Sequence, residues 1–328
     1  MRRNLVRRSL NNLMRAITQS AFGGPAELHV TDLPLPRLLP TEVLVRVHAT
    51  SVNPVETYIR SGVFPLLGQP PFVLGWDVSG VVEEVAPGTN RFKPGDEVFG
   101  MPLFPRPANA YAEYVAAPSR QLARKPKELT HEQAAALSLV GLTAWQALVD
   151  IAKVKAGQRV LIHAGGGGVG HIAVQIAKAL GAYVITTASA AKRDFVHGLG
   201  ADEIIDYKTS DFVELAREID AVFDVVGGGY AERSFNTLRP SGILVTAAER
   251  RNLELPKKAA ASGRNFASVA VEPDYVGLER LADLAHSGKL RVHVAHVFAL
   301  EQAARAHDLL EKGTTQGKIA LSPLHRFA

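Results

Sequence analysis

The chain has 328 residues, of which 47% are hydrophobic and 21% charged, so it is long enough to bury a large core and to form two domains. It contains no cysteine, which excludes disulfides, iron–sulfur clusters, thiolate zinc sites and a cysteine nucleophile. Four arginines in residues 1–13 supply +4 of the formal net charge of +5, and the remaining +1 gives no indication of nucleic-acid binding.

Residues 1–13 carry those arginines and no acid. We expect them to form a disordered extension ahead of a natural start at Met14, although Arg-rich, acid-free N-termini also include transit peptides. We expect no apolar stretch to approach the roughly 20 residues that span a bilayer. The protein is therefore expected to be cytoplasmic and not to insert into membranes.

A β-rich domain is predicted from Ala16 to about Pro118, where short apolar segments alternate with Pro and Gly. Its clearest predicted strands are residues 42–47, 78–85 and 96–99.

A helix is predicted next, because Thr130 and Gln133 have the spacing of a capping box. This helix is expected to run through Leu139. A second helical stretch, which includes residues 143–148, is expected to lead into the following strand.

Apolar strands then alternate with helical stretches, which predicts an α/β fold with a mostly parallel sheet and helices on both faces. The strands are predicted at Val160, Val184, Ile204, Val222 and Ile243, with a sixth at 266–271. After Pro273 we expect a helix to Ser287, a strand at 292–297, a helix at 300–311 and a strand at 318–321. The last two strands are expected to rejoin the first domain.

A glycine run, Ala164 to Gly170, lies between the first of these strands and an amphipathic helix. Glycines let the backbone approach a pyrophosphate, and free N–H groups at a helix N-terminus favour negative charge. The run therefore predicts a dinucleotide site, with a flexible linker as the alternative. The residues expected to bind the cofactor are Gly165, Gly167, Gly168, Val169 and Gly170.

The cofactor is predicted to be NADPH. NAD-binding units of this kind usually place an acid at the end of the second strand, whereas residues 187–193 read TASAAKR. We expect Ser189, Lys192 and Arg193 to bind a 2′-phosphate, with Tyr207 as a further hydroxyl. The alternative for Lys192 and Arg193 is that they only solvate the first turn of the next helix. The alternative for Tyr207 is an ordinary surface residue.

The order of motifs resembles the zinc-independent quinone oxidoreductase branch of the medium-chain dehydrogenase/reductase superfamily. Besides the glycine run, the resemblance is carried by residues 51–62 (SVNPVETYIRSG), 74–80 (LGWDVSG), 93–98 (KPGDEV), 141–144 (GLTA) and 317–321 (GKIAL). It implies a Rossmann doubly wound sheet inserted in a GroES-like β-rich domain, NADPH bound in the cleft between them, and a homodimer. The implied boundaries are 14–138 with 273–328 for the GroES-like domain and 139–272 for the Rossmann domain.

No metal site is expected. Zinc-dependent members of the superfamily hold zinc with a Cys and a Gly-His-Glu segment, and the matching residues here are Gly75-Trp76-Asp77. His293 and His296 are expected on one strand, where a spacing of three points them to opposite faces.

The implied chemistry is hydride transfer from NADPH without metal or flavin, which requires few polar groups from the protein. By the resemblance, Asn53 and Tyr58 line the nicotinamide site and Thr143 approaches the nicotinamide, all as hydrogen-bond donors. The alternatives are a turn residue for Asn53, a surface hydroxyl for Tyr58 and a helix-end bond for Thr143. Related enoyl-thioester reductases, and some quinone reductases, carry a Tyr where this chain has Phe64, so a mitochondrial-type enoyl reductase role is disfavoured.

The predicted function is NADPH-dependent reduction of small-molecule quinones or α,β-unsaturated carbonyls. An NADPH-binding sensor with little turnover and a pathway-specific enoyl reductase are the alternatives. Two loops, 61–72 and the basic 247–265, are expected to shape the acceptor pocket. The basic loop either attracts an anionic acceptor or is simply solvated, and we favour the second.

Overall fold

The computed structural model describes residues 13–249 and 251–324, so the expected extension lies outside the described residues except for Leu13, which opens the first strand. The described chain divides into two compact units. Unit 1 contains residues 13–138, 273–276 and 294–324, and unit 2 contains 139–272 and 277–293. Residues 277–293, expected in the first domain, therefore cluster with the second.

Unit 1 begins with eight short strands and two helices. The strands are β1 (Leu13–Gln19), β2 (Leu28–Pro34), β3 (Glu42–Ser51), β4 (Phe72–Val73), β5 (Val78–Val85), β6 (Glu97–Gly100), β7 (Tyr114–Pro118) and β8 (Leu122–Arg124). The helices are α1 (Pro54–Ser61) and the first half of α2 (His131–Trp145), which continues past Ser138 as part of unit 2. Alternate valines of β3, at 43, 45 and 47, pack into a core with valines of β5 and β6, as expected for strands with one buried face.

The capping box of α2 is confirmed. The Thr130 N–H donates to Gln133 Oε1 at 3.0 Å and the Gln133 N–H donates to Thr130 Oγ1 at 3.2 Å. The predicted break near Leu139 is wrong, because α2 continues to Trp145 and then as a π-helix over Gln146–Ile151. Gly141, a weak helix former, sits inside the continuous helix, where tertiary packing overrides propensity.

The expectation about apolar stretches is also corrected by this helix. Residues His131–Ile151 form a helix of 21 residues with a mean hydropathy of 1.5, long and apolar enough to cross a membrane by composition alone. However, 72% of the apolar 18-residue segment of this helix is buried inside the protein. A helix that is apolar all round is equally what a protein core requires, so we interpret it as a core helix.

Unit 2 is the predicted parallel α/β domain. Its strands are β9 (Arg159–Ile162), β10 (Tyr183–Ala188), β11 (Glu203–Asp206), β12 (Ile219–Asp224), β13 (Leu238–Thr246) and β14 (Asn265–Ser268). The helices are α3 (Gly170–Ala179), α4 (Arg193–Gly198), α5 (Phe212–Leu215), α6 (Tyr230–Ser234), α7 (Glu254–Ala261) and α8 (Tyr275–His286).

The six-stranded sheet has the order β11-β10-β9-β12-β13-β14, and every neighbouring pair is parallel. The sheet is built outward from β9. The chain first adds β10 and β11 on one side of it and later adds β12, β13 and β14 on the other side. Such a switch point opens a crevice at the carboxyl ends of the strands, where α/β proteins bind ligands. The fold class is therefore confirmed.

The chain ends in unit 1 with β15 (Val294–Ala299), α9 (Ala303–Glu311) and β16 (Lys318–Ser322). β16 pairs antiparallel with β3, and β15 pairs parallel with β16. The prediction that the last two strands rejoin the first domain is confirmed.

Candidate active site

The glycine run forms the turn between β9 and α3, and its first residues are held by β10. The N–H groups of Ala164 and Gly165 donate to the side-chain and main-chain oxygens of Thr187, each at 3.0 Å. The Gly167 N–H returns to the Ala164 carbonyl at 2.9 Å and closes the turn. Ala164 has a φ of 54°, in the left-handed region that residues with a Cβ rarely adopt. Such strain persists only where surrounding bonds hold it.

Two glycines of the turn leave no room for a side chain. A Cβ at Gly165 would lie 2.2 Å from Thr186 Oγ1, and a Cβ at Gly170 would lie 2.1 Å from the carbonyl oxygen of Ala164. A Cβ at Gly167 would lie 3.3 Å from that same oxygen. Glycine is therefore required at Gly165 by the packing of the Thr186 side chain and at Gly170 by the packing of backbone.

The start of α3 offers free donors. Within the described part of the chain, the N–H groups of Gly168, Val169 and Gly170 have no protein acceptor. These three groups stand at the helix N-terminus, where the helix dipole also favours negative charge. The turn and helix together fit a pyrophosphate.

Lys192 is the cation that the structure brings to this turn. A Cβ at Gly166 would lie 2.8 Å from Lys192 Cδ, so the lysine stem lies across the turn. Burial lowers the pKa of Lys192, because an ammonium group partly removed from water is harder to charge. Ser189 occupies the N-cap position of the short helical segment that ends in Lys192, and its side chain makes no capping hydrogen bond there.

Arg193 makes a different contact. Its Nη1 donates to the carbonyl of Ile204 on β11 at 3.4 Å. It also lines a surface depression of about 560 Å³ together with Asp194, Asp202 and Glu203. Lys192, and not Arg193, is therefore the cation placed against the glycine turn.

Tyr207 directly follows β11 and is 46% exposed. The last residue of β11, Asp206, is in register with Ala188 at the end of β10. Tyr207 and Ser189 are consequently level with each other at the carboxyl edge of the sheet.

A second glycine loop lies at the same edge, after β12. The residues Gly227, Gly228 and Gly229 all have positive φ, at 72°, 59° and 89°. The fully buried carboxylate of Asp224 accepts from the Gly227 N–H at 3.1 Å and from Thr246 Oγ1 at 2.9 Å. Because β12 neighbours β9, the two glycine loops share one edge, and a second backbone approach to the cofactor stays a prediction.

Unit 1 holds a buried polar cluster around Asn53, at the N-cap of α1. The Nδ2 of Asn53 donates to Asp77 at 2.8 Å, and its Oδ1 accepts from Lys318 Nζ at 2.5 Å. Asp77 also accepts from the Ser51 hydroxyl. Asn53 is 1% exposed, so its amide serves this cluster. The expected donation from Asn53 to a bound ligand is not what this geometry provides.

Lys318 supplies the cation of the cluster from the last strand. Its Nζ also donates to the Val52 carbonyl at 2.8 Å and lies 3.8 Å from Asp77 Oδ2. Burial lowers the pKa of Lys318, while the neighbouring carboxylates of Asp77 and Glu56 oppose that shift. A buried ammonium is tolerated here because it is paired and hydrogen-bonded.

Glu56 is the second buried acid of the cluster. Its carboxylate accepts from the Asn53 N–H at 2.6 Å and from the Tyr111 hydroxyl at 2.9 Å. Burial, reinforced by the charge of Asp77, raises the pKa of Glu56 from 4.5 to about 7. The Tyr111 hydroxyl also lies 3.0 Å from His307 Nε2, which extends the cluster toward α9.

Replacing Glu56 with glutamine is expected to change how stability depends on pH. The pKa of Glu56 in the folded protein lies above its unfolded value of 4.5. The contribution of Glu56 to the free energy of unfolding is therefore fully present below pH 4.5 and is lost as the pH rises through about 7. Glutamine can accept the same two bonds without titrating. Between pH 5 and 8, the free energy of unfolding of the wild type should therefore fall relative to Glu56→Gln by about 2 kcal/mol.

Urea unfolding of both proteins at pH 5, 6.5 and 8 measures that difference. Buried histidines titrate in both proteins and cancel. A difference that stays constant across the three pH values would contradict the assigned role of Glu56.

The other two expected catalytic residues differ in exposure. Tyr58 lies on α1 and is 54% exposed. Thr143 lies within α2, is 5% exposed, and donates its hydroxyl to the Leu139 carbonyl at 2.8 Å. The proton of Thr143 is thus used inside its own helix, and toward a ligand this hydroxyl is left to act as an acceptor.

The loop 61–72 begins with a left-handed Gly62 and presents apolar side chains beside Tyr58. The Phe64 N–H donates to the Tyr58 carbonyl at 3.0 Å, and Val63 is 78% exposed. The apolar character of loop 61–72 is consistent with the expectation that this loop shapes the acceptor pocket.

The expected basic loop contains helix α7, and two of its lysines form ion pairs. Lys257 pairs with Glu254 at 2.8 Å and Lys258 with Glu232 at 2.5 Å, whereas Arg264 donates to main-chain carbonyls. These contacts favour the solvated interpretation. Arg250 lies outside the described residues.

The residues at the position of a catalytic zinc do not fit that metal. Asp77 accepts hydrogen bonds from Asn53 and Ser51, and the Lys318 ammonium lies 3.8 Å from its Oδ2. No group of three or more His, Cys, Asp or Glu side chains able to hold a metal occurs in residues 13–249 and 251–324. A zinc site would require such a set in tetrahedral geometry.

The expected placement of the two histidines is wrong in one respect. His293 precedes β15 and its ring packs 4.9 Å from Phe195, whereas only His296 lies on the strand.

Several residues of these clusters were not singled out from the sequence. Glu56, Asp77 and Lys318 lie inside segments that carry the family resemblance, but nothing local indicated that they meet. His163, beside the glycine turn, was missed because a polar residue after a buried strand is unremarkable on its own.

Comparisons with known proteins match both parts of the chain. Residues 39–127 match the family described as alcohol dehydrogenase GroES-like domain, and residues 199–321 match the family described as zinc-binding dehydrogenase.

Whole-chain relatives and solved structures are also similar. The quinone oxidoreductase of Sus scrofa is 33% identical over 324 residues, covering 94% of this chain and 98% of that protein. The 2-haloacrylate reductase of a Burkholderia species is 35% identical over 324 residues, covering 92% of this chain and 96% of that protein. The crystal structure of Escherichia coli quinone oxidoreductase complexed with NADPH superimposes with a TM-score of 0.84 at 30% identity, covering 94% of this chain and 100% of that chain.

Proposed function

Because this chain belongs to the quinone oxidoreductase branch of the medium-chain dehydrogenase/reductase superfamily and is an oxidoreductase, we propose that it transfers hydride from NADPH to quinones or α,β-unsaturated carbonyls. The observation that carries the proposal is the glycine turn of unit 2, with free N–H groups at α3 and Lys192 lying across it. The complex of the E. coli relative with NADPH supports the choice of cofactor.

The residues that would hold the cofactor are those of the turn and of the neighbouring strand ends. The N–H groups of Gly168, Val169 and Gly170 would bind the pyrophosphate. Lys192 and Ser189 would bind the 2′-phosphate by charge-assisted and neutral hydrogen bonds, with Tyr207 at the same edge. When bound, NADPH supplies the hydride.

The chain's own contribution to the acceptor is electrostatic and steric. The surface beside α1 is apolar, which suits a planar, neutral acceptor. Negative charge on a quinone or enone oxygen is delocalised, so its stabilisation needs few donors. The buried Asp77 is paired with Lys318, so we propose a reaction without a resident metal.

Tyr58 is proposed as the proton donor, because it is a half-exposed hydroxyl on the apolar wall. Replacing it with phenylalanine is expected to lower kcat by about 10²-fold with little change in NADPH affinity, as for loss of a general acid. Tyr183→Phe, which removes another surface hydroxyl, is the matched control. An unchanged kcat in Tyr58→Phe would indicate that water, and not Tyr58, supplies the proton.

The proposal is tested by NADPH oxidation against 1,4-benzoquinone, 9,10-phenanthrenequinone, enals, cyclic enones and 2-haloacrylate, with NADH in parallel. Turnover of several neutral acceptors with a preference for NADPH is expected. Turnover of 2-haloacrylate alone would indicate a dedicated reductase, as the Burkholderia relative's name suggests. Tight NADPH binding without turnover of any acceptor would contradict the proposed activity and favour a sensor.

A homodimer is proposed on the family resemblance. In the parallel sheet, β14 is an edge strand with partly exposed residues, and an exposed edge can pair with a second copy. Light scattering in solution gives the mass that decides this point.

A further inference from the structure

The buried imidazole of His163 lies immediately before the strained residue of the glycine turn. It is fully buried between β9 and the aromatic rings of Phe212 and Tyr230, with ring centroids 4.6 and 5.1 Å away. Its Nε2 lies 2.8 Å from Ser234 Oγ, and its Nδ1 lies 3.3 Å from Thr187 Oγ1. Both ring nitrogens are therefore engaged, one toward each glycine loop.

The hydrogen bonds of His163 have directions that follow from the two outermost groups, the Tyr230 carbonyl and the Ala164 N–H. The Ser234 hydroxyl donates to the Tyr230 carbonyl at 2.7 Å, an atom that can only accept. Ser234 Oγ must then accept from His163, which places the ring proton on Nε2. Burial lowers the pKa of His163 to about 3, so the ring is neutral and Nδ1 is an acceptor.

The other end reaches the glycine turn. Since Nδ1 accepts the hydroxyl proton of Thr187, a lone pair of Thr187 Oγ1 is left to face the Ala164 N–H, which donates to it at 3.0 Å. Ala164 is the turn residue with a φ of 54°. The Ala164 carbonyl accepts a hydrogen bond from the Gly167 N–H, which closes the glycine turn.

We propose that His163 is a positioning residue for cofactor binding, which acts through Thr187 to hold Ala164 in the left-handed conformation that presents the α3 N-terminus to the dinucleotide. The other bond of the ring, to Ser234 on α6, ties this turn to the segment that follows the second glycine loop. The inference rests on the proposed function, because the ligand it concerns is NADPH.

Two replacements separate the two bonds of the ring. His163→Asn places a carbonyl oxygen near the Nδ1 position and keeps the acceptor for Thr187. His163→Gln reaches toward the Nε2 position and loses that acceptor. His163→Gln and Thr187→Val are expected to raise the Kd for NADPH about tenfold, with His163→Asn at about threefold or less. The kcat at saturating NADPH is expected to stay within about twofold in all three, since none touches the acceptor.

Ala164→Gly provides the decisive readout. Glycine adopts positive φ without the steric strain of a Cβ, so we expect the turn to depend less on the bond from Thr187. In the Ala164→Gly background, the tenfold effects of His163→Gln and Thr187→Val are expected to shrink to about threefold or less. A merely structural role in the core would leave those effects unchanged, and that result would overturn the proposal.

The wild-type protein separates the possible failures. Wild type that binds no NADPH contradicts the proposed function and this inference together. Wild type that binds NADPH while His163→Gln and Thr187→Val bind it equally well contradicts the inference alone. Nitrogen-15 NMR of wild-type His163 gives an answer even if a variant does not fold, because a proton found on Nδ1 overturns the network and a proton on Nε2 supports it.

Discussion

Lys192→Ala is expected to weaken NADPH binding by about 10- to 100-fold while changing NADH binding by less than about threefold, since a charge-assisted bond to a phosphate is lost and NADH has no 2′-phosphate. The lysine stem lies across Gly166, and the side chain is partly buried. Partial burial strengthens this contact, because charges interact more strongly where water is excluded. Ser189→Ala should add a smaller loss in the same direction.

Calorimetric or fluorescence titration with both dinucleotides measures these affinities. Lys289→Ala removes one exposed positive charge elsewhere in unit 2 and is the control for net charge. Arg193→Ala tests the contact of that residue with Ile204, and we expect it to affect NADPH less than Lys192→Ala does. Equal losses for NADPH and NADH in Lys192→Ala would remove the 2′-phosphate assignment.

Gly170→Ala is expected to weaken both dinucleotides together. The added methyl carbon would lie 2.1 Å from the Ala164 carbonyl oxygen, and the obstructing atoms are backbone, which cannot rotate away. Overpacking of this kind costs about 1–3 kcal/mol. If that cost falls on the bound turn geometry, both Kd values rise by about tenfold or more.

Thermal unfolding of Gly170→Ala, run beside both titrations, shows how much of the cost falls on the fold itself. Gly198→Ala in α4 is the matched control, because a Cβ there meets nothing within 4 Å. Gly167→Ala, with 3.3 Å available, should have an intermediate effect. Unaltered binding by Gly170→Ala would mean that the turn is not the pyrophosphate site.

The parallel sheet of unit 2 was predictable because its information is local. Continuous apolar strands, helical spacing and glycine punctuation recur within each βα step, and six strands were found where six were expected. The continuity of α2 was not predictable, because Gly141 looks like a break in isolation and only burial on all sides explains its place inside a helix.

The candidate site divides in the same way. Lys192 and the glycines lie within 30 residues of one another, and motif spacing alone placed them together. The contact of Asn53 with Lys318 joins residues 265 positions apart, and no pattern along the chain encodes it. As a result, the sequence suggested a ligand donor at Asn53, whereas long-range pairing turns that amide inward.

The pairing of β16 with β3 also has a consequence for how the protein is made. Lys318 is the cation that compensates the buried Asp77, yet it is synthesised 241 residues later. On the ribosome, the buried acids Asp77 and Glu56 therefore lack this cation until β16 has emerged. The strands of unit 2 all come from residues 159–268, and its last residue, His293, is synthesised before Lys318. Synthesis therefore imposes an order in which the central unit can close first and the last strand completes the first unit.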